Sequence, residues 1–276
     1  MTNFTNEFQP VIGNIVSDRT GIKIQVDLSI QHIQSAALYS RLCAKIENDY
    51  NQSMRNSTEF DDLPLEHRAH AISSVLASVA FLEATVNKFF ADEVEHLEET
   101  INFLFANVAD PINSNSSIRN ILDYPATKLV MADMLKSAMA EKDRKSILAK
   151  FDDVITSVGK QGFDKGAAPY QDVSLLINLR NALVHYKPKW ITILAEDITA
   201  DEFDDKKIVI LQKEHKFPLN PLMDGIMTSF FPNKCLGHGC ASWAVKSSIQ
   251  FIEEFYQRMN IPFSINHFQF SLRTEP

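Results

Sequence analysis

The chain has 276 residues, a length that suits one decorated domain better than two full-sized ones. Hydrophobic residues make up 45% and charged residues 22%, so a core can form without disulfide staples. A formal charge of -8 and a pI of about 5.5 exclude a positive coat for bulk nucleic-acid binding but leave room for a local basic pocket. Three cysteines, Cys43, Cys235 and Cys240, form no disulfide framework and point to a reducing compartment. The opening segment lacks the basic stretch and apolar run of a secretory leader, and apolar runs break before membrane-spanning length. A cytoplasmic location with no membrane contact is expected.

Residues 21–29 alternate: Ile22, Ile24, Val26 and Leu28 fall on one side, Lys23, Gln25 and Asp27 on the other. Period two predicts a half-buried strand within an N-terminal extension, residues 1–29. Residues 30–56 read as a helix with Ile33, Ala36, Ala37, Ser40, Cys43, Ala44 and Tyr50 on one side. Asp61-Asp62-Leu63-Pro64 looks like a helix start, with proline in the first turn, and a long helix runs from about Leu65 to about Phe105. A loop follows through Ser117, then helix over about Ala126–Val158 and a glycine-containing loop to Pro169. The next helix spans about Tyr170 to Lys187, ended by Pro188.

Beyond Pro188 the texture changes. The β-branched runs at 191–194 and 208–211 flank an acidic loop, Glu196 to Asp205, and predict a hairpin inserted at about 190–212. Residues 213–238 should be coil and Cys240–Met259 a final helix; within the 259–276 tail, Phe263–Leu272 reads as strand. The expected fold is mainly α: a helical bundle over 30–258 with small β-strand and hairpin additions.

Two helices carry polar residues in unexpected places. On the earlier one, Ile72, Val75, Leu76, Val79, Leu82, Val86 and Phe90 make an apolar stripe with Glu83 in its middle and Asn87 beside it. A carboxylate facing a core needs a cation or donor, so Glu83 predicts a partner. On the later helix, Val173, Leu176, Leu179 and Leu183 form the apolar side, with Arg180 inside it as the natural partner for Glu83. Ser174, Asn178, Asn181 and His185 line the opposite edge at spacings of four, three and four residues. A solvent face would hold more lysine and glutamate, so this stripe suits a close contact or a site.

The run Arg180-Asn181-Ala182-Leu183-Val184-His185 resembles the Arg-x4-6-His motif of HEPN domains (higher eukaryotes and prokaryotes nucleotide-binding), including the polar residue after the arginine. The resemblance covers about residues 30–258 and implies an up-and-down helical bundle of the HEPN type. It further implies a metal-independent endoribonuclease, active as a homodimer with the motif helices meeting at the interface. No cofactor and no metal are implied. A toxin or defence effector, with RNA or a nucleotide as ligand and an antitoxin or other protein as partner, fits the same resemblance. Arg180, Asn181 and His185 become the catalytic candidates, supported by Glu83, Asn87, Asn178 and Ser174, with Lys187 and Lys189 as phosphate contacts.

The chemistry suits these residue types. Metal-free RNA cleavage needs a base for the ribose 2′-hydroxyl, an acid for the leaving oxygen and a cation for the phosphorane charge. Imidazole serves as base or acid near neutral pH, and guanidinium is a fork matched to phosphate. One chain supplies one such set; a two-fold dimer supplies two.

Structural readings compete with each role. An ideal helix places Arg180 roughly 140° from His185, which favours an ion pair between Arg180 and Glu83. His185 reads equally as a helix-end residue favoured by the dipole, and Asn181 as a hydrogen-bond partner for a neighbouring helix. A non-catalytic HEPN-like module binding nucleotide, RNA or protein is the alternative function, and a helical interaction protein with a coincidental motif is the third. Cys235-Leu236-Gly237-His238-Gly239-Cys240 offers zinc-ligand types but no second ligand pair, so a flexible glycine-containing turn is expected there. Trp190 and Trp243 are expected in packing roles.

Overall fold

A computed structural model describes residues 12–18, 21–56, 63–108, 144–157, 159–188, 206–224, 228–261, 263 and 270–276. They are mostly helical, as the periodicity predicts. The chain divides into two compact units, Met1–Ala84 with Gln161–Pro276, and Thr85–Lys160.

In the first unit, β1 (Ile12–Asp18) and β2 (Gly21–Val26) pair antiparallel, with Val16 opposite Lys23 and a register irregularity between Ile12 and Ile15. The alternating strand therefore ends at Val26 rather than residue 29. Val26 and Leu28, expected on a half-buried side, are exposed. Asp27 stops the strand and starts the next element: its Oδ1 accepts from the Ser29 backbone N–H at 2.8 Å, opening α1 (Ser29–Asn56).

The core of this unit is made where α1, the first half of α2 (Leu63–Val108) and the last helix, α6 (His238–Met259), meet. Their contact faces are built from small residues: Ala36, Ala37, Ser40 and Ala44; Ala71, Ser74 and Ser78; Ala241, Ala244 and Ser248 are all buried. Small side chains let backbones approach, and serine then finds carbonyls across the gap. Ser74 Oγ donates to Ala36 O at 2.9 Å and to Ala241 O at 3.3 Å, joining all three helices. Ser248 Oγ reaches Ser78 O at 3.4 Å.

This face corrects the reading of α2. The buried stripe runs through His67, Ala71, Ser74, Val75, Ser78, Val79 and Leu82, whereas Leu76 and Glu83 are exposed. The serines hid the true core face, because a hydrophobic count gives no weight to a serine at a close contact. By length and composition Leu65–Phe90 could also cross a membrane, contrary to the expectation of interrupted apolar runs. Half of that window is buried, and its serines bond to α1 and α6, as in the core helix of a globular unit.

Two further helices extend the packing from α6. Helix α4 (Tyr170–Val184) packs on it, aided by Phe163, whose ring stacks on Phe251 at 4.4 Å between centroids. Helix α5 (Lys206–Lys213) packs on α4. Residues 208–211 were expected as a hairpin strand; they are helical, with Ile208 and Leu211 buried three residues apart and Ile210 exposed. Tertiary packing overrides β-branched propensity here. The expected partner run at 191–194 lies outside the described residues.

Between α5 and α6 the expected coil holds a 3₁₀ turn, Pro221–Met223, and a π turn, Phe230–Lys234. Asn260, at φ 56°, closes α6 by sending the Ile261 N–H back to Tyr256 O at 3.0 Å. The C-terminal residues pack against α1 and α6: Arg41 Nη1 donates to Ser271 O at 2.9 Å, and Ser242 Oγ to Thr274 Oγ1 at 2.9 Å. Partial burial lowers the Arg41 pKa. Residues 270–272 form a turn, not the expected strand, and 264–269 lie outside the described residues.

The second unit holds the rest of α2 and α3 (Ile147–Ser157). Lys150 on α3 is 5% exposed and donates from Nζ to Asn87 Oδ1 at 2.9 Å. Gly159, at φ 70°, ends the segment with the Lys160 N–H returning to Ile155 O at 3.1 Å. The loop at 110–117 and the helix expected over 126–143 lie outside the described residues.

Candidate functional site

Helix α4 starts at Tyr170 as expected but stops at Val184, three residues before the predicted end. A proline ring at 188 clashes with a helical carbonyl at 184, and the residue before it avoids helical angles, so the chain leaves the helix early. His185 becomes the C-cap, with φ -105° and ψ 28°, its N–H bonded to Asn181 O at 2.9 Å. Its φ differs from the helical value by roughly 40°, so an ideal wheel misplaces its side chain.

The predicted polar stripe divides in two. At its N-terminal end, Asn178 Nδ2 donates to Ser174 O, and Ser174 Oγ accepts from Lys207 Nζ of α5 at 3.3 Å. The first bond is internal to α4 and the second ties α4 to α5. At the other end Asn181 and His185 are exposed, and neither side chain bonds to a described residue. Lys187 is exposed beyond them; Lys189 and Trp190 lie outside the described residues, as does the acidic loop at 196–205. Tyr186 is half exposed and its ring lies 6.1 Å from that of Phe231.

Arg180 does not pair with Glu83, which faces solvent. The arginine is half-buried, makes no hydrogen bond or ion pair with any described residue, and keeps its Nε buried without a partner. A buried, unpartnered donor costs about 1–3 kcal/mol, which a folded chain rarely tolerates without another use. Asn87, offered as support for this site, is instead the acceptor for Lys150 in the other unit.

A second constellation lies where α1, α2 and α6 begin to converge. Cys43 and Glu47 occupy one face of α1 at i, i+4, and His67 lies in the second turn of α2. Glu47 Oε1 receives the His67 Nε2 at 2.7 Å, the His238 backbone N–H at 2.7 Å and the Cys43 thiol at 3.9 Å. Cys43 and His67 are at most 1% exposed. Burial first, then the Glu47 charge and nearby Cys240, push the Cys43 thiol pKa well up. Cys240 is raised too, by its hydrogen bond with Cys235 and by burial.

The glycines of the 235–240 run answer a packing demand rather than supplying flexibility. A Cβ on Gly239 would lie 2.4 Å from Pro218 O, and one on Gly237 would lie 3.0 Å from Glu47 Oε1. His238 then turns outward, with Nδ1 3.1 Å from Ser40 O and Nε2 3.1 Å from Glu275. Trp243 packs on Phe217 at 5.3 Å between centroids, as expected.

Beside α6 is a surface cavity of about 460 Å³ lined by Asp172, Lys216, His238, Trp243 and Lys246, among others. Its lining includes neither Arg180 nor His185. Lys216 bridges Asp172 and Glu214 at 2.8 Å each, and hydrogen bonding to Asp172 and then Glu214 raises its pKa.

No family model matches the chain, and neither curated proteins nor solved structures give a significant match.

Proposed function

We propose that this protein is a metal-independent endoribonuclease of the HEPN type, active as a homodimer and serving as a toxin or defence effector. One observation carries the reading: Arg180 is half-buried and makes no hydrogen bond or ion pair with any described residue, on the helix end where Asn181 and His185 are exposed. A guanidinium with no ion pair among the described residues keeps its charge for an anion, and its terminal Nη groups form a fork that matches two phosphate oxygens.

In this proposal, one His185 takes the proton of a ribose 2′-hydroxyl. The 2′-oxygen attacks the adjacent phosphorus, and the 5′-oxygen leaves with a proton given by the partner's His185. Arg180 stabilises the charge on the equatorial oxygens, and Asn181 orients an imidazole or donates to phosphate. Because one chain offers one imidazole at this surface, the two-fold dimer completes the acid–base pair. Lys187, exposed beyond His185, adds positive charge to the same end of α4.

The test is incubation of purified protein with a mixed RNA pool in EDTA, beside a His185→Ala variant. Cleavage by the wild type and none by the variant supports the proposal. Intact RNA from a folded dimer contradicts it, and RNA retained without cleavage indicates the binding-module alternative.

A further inference from the structure

We propose that Cys43, Glu47 and His67 form a binding site for a divalent transition-metal ion of the zinc class. Their ligand atoms, Sγ, a carboxylate oxygen and a ring nitrogen, all lie within 4.8 Å of one another. Soft sulfur, imidazole and carboxylate together are the donor set zinc takes.

The distances are close to those of a metal-filled site. Tetrahedral zinc bonds of about 2.3 Å to sulfur and about 2.1 Å to nitrogen or oxygen put S···O near ~3.6 Å and N···O near ~3.4 Å. The Cys43–Glu47 separation of 3.9 Å must shrink slightly and the Glu47–His67 separation of 2.7 Å must widen. The first change is about 0.3 Å and the second about 0.7 Å, both within the reach of side-chain rotation.

Charge favours the same ligands. A thiolate and a carboxylate together neutralise a divalent cation, which a site this deep requires. Binding displaces the Cys43 thiol proton to solvent, and neutral His67 carries its one proton on Nδ1 so that Nε2 is free to ligate. The fourth position is left to water or to the second Glu47 oxygen; Glu47, whose side chain is 12% exposed, opens that side of the site to solvent. The ion would join α1 to α2 directly. Through Glu47 it would also reach the first turn of α6, whose N–H bonds that carboxylate. The ion would therefore cross-link helices of this unit, and the site is independent of the RNA-cleavage proposal.

The test uses the full chain, stripped by chelator and titrated with Co²⁺. A thiolate-to-cobalt charge-transfer band that saturates at one equivalent, with a rise in melting temperature, is expected. Cys43→Ser should lose the band while Cys235→Ser keeps it. X-ray absorption of the zinc-loaded wild type needs no variant and should count one sulfur ligand. No band from folded wild-type protein, a band that survives Cys43→Ser, or a sulfur count other than one would overturn the assignment.

Discussion

Replacing Arg180 by methionine separates a ligand-binding arginine from a structural one. Methionine keeps an unbranched apolar stem on the side of α4 that carries the fully buried Leu176, one turn earlier, and removes the unpartnered Nε. An unsatisfied buried donor costs about 1–3 kcal/mol, and half-burial places the expected gain near the low end, about 1 kcal/mol. With a urea dependence of about 3 kcal/mol/M for a chain of this size, the midpoint should rise by about 0.3 M. Arg180→Met should at the same time abolish RNA cleavage and weaken phosphate binding. Urea titration followed by circular dichroism reads the first effect, and cleavage of an RNA pool reads the second. A stability loss of about 1 kcal/mol or more would refute the reasoning, because it would mean that the guanidinium holds the fold together.

Other outcomes follow from the same geometry. Ala244→Leu should destabilise by about 1–3 kcal/mol through overpacking, since Ala244 is fully exhausted of space on α6; chemical denaturation checks it against the exposed control Lys246→Leu. Lys216→Met should cost about 1 kcal/mol, because its partners are only partly screened. The Lys216 pKa lies above its ordinary 10.5 in the folded state, so its stabilisation is complete below that pH and fades as pH rises through the folded value. The difference between wild type and Lys216→Met should therefore shrink in alkaline urea titrations and stay constant from neutral pH to about 10. Ser174→Ala, which removes the acceptor for Lys207, should lower stability by about 1 kcal/mol or less and leave RNA cleavage intact.

Helix positions were legible wherever apolar period and caps agreed. The buried face of α1 is the one its alanines, Ile33 and Cys43 predict, and α6 begins two residues from its expected start. Hydrophobic periodicity fails where small polar residues make the core. Ser74 and Ser78 carry the α2 contact face, so a wheel drawn on hydrophobic residues turned Glu83 inward and gave it a partner it does not have. It fails again at residues 208–211, where burial of Ile208 and Leu211 against neighbouring elements decides for helix.

At the motif, exposure of Asn181 and His185 follows from the polar stripe, but the early end of α4 depends on Pro188 and changes where His185 points. The Cys43–Glu47 pair is visible as an i, i+4 spacing. His67 is not, because its approach depends on how α1 and α2 pack, and no local pattern encodes that.

The most direct measurement of the central claim is end analysis of RNA cut in EDTA by wild type and by His185→Ala. Attack by the 2′-oxygen predicts 2′,3′-cyclic phosphate ends from the wild type, no products from the variant, and complete resistance of 2′-O-methyl RNA. Equal cleavage by His185→Ala, or cutting of 2′-O-methyl RNA, would contradict it.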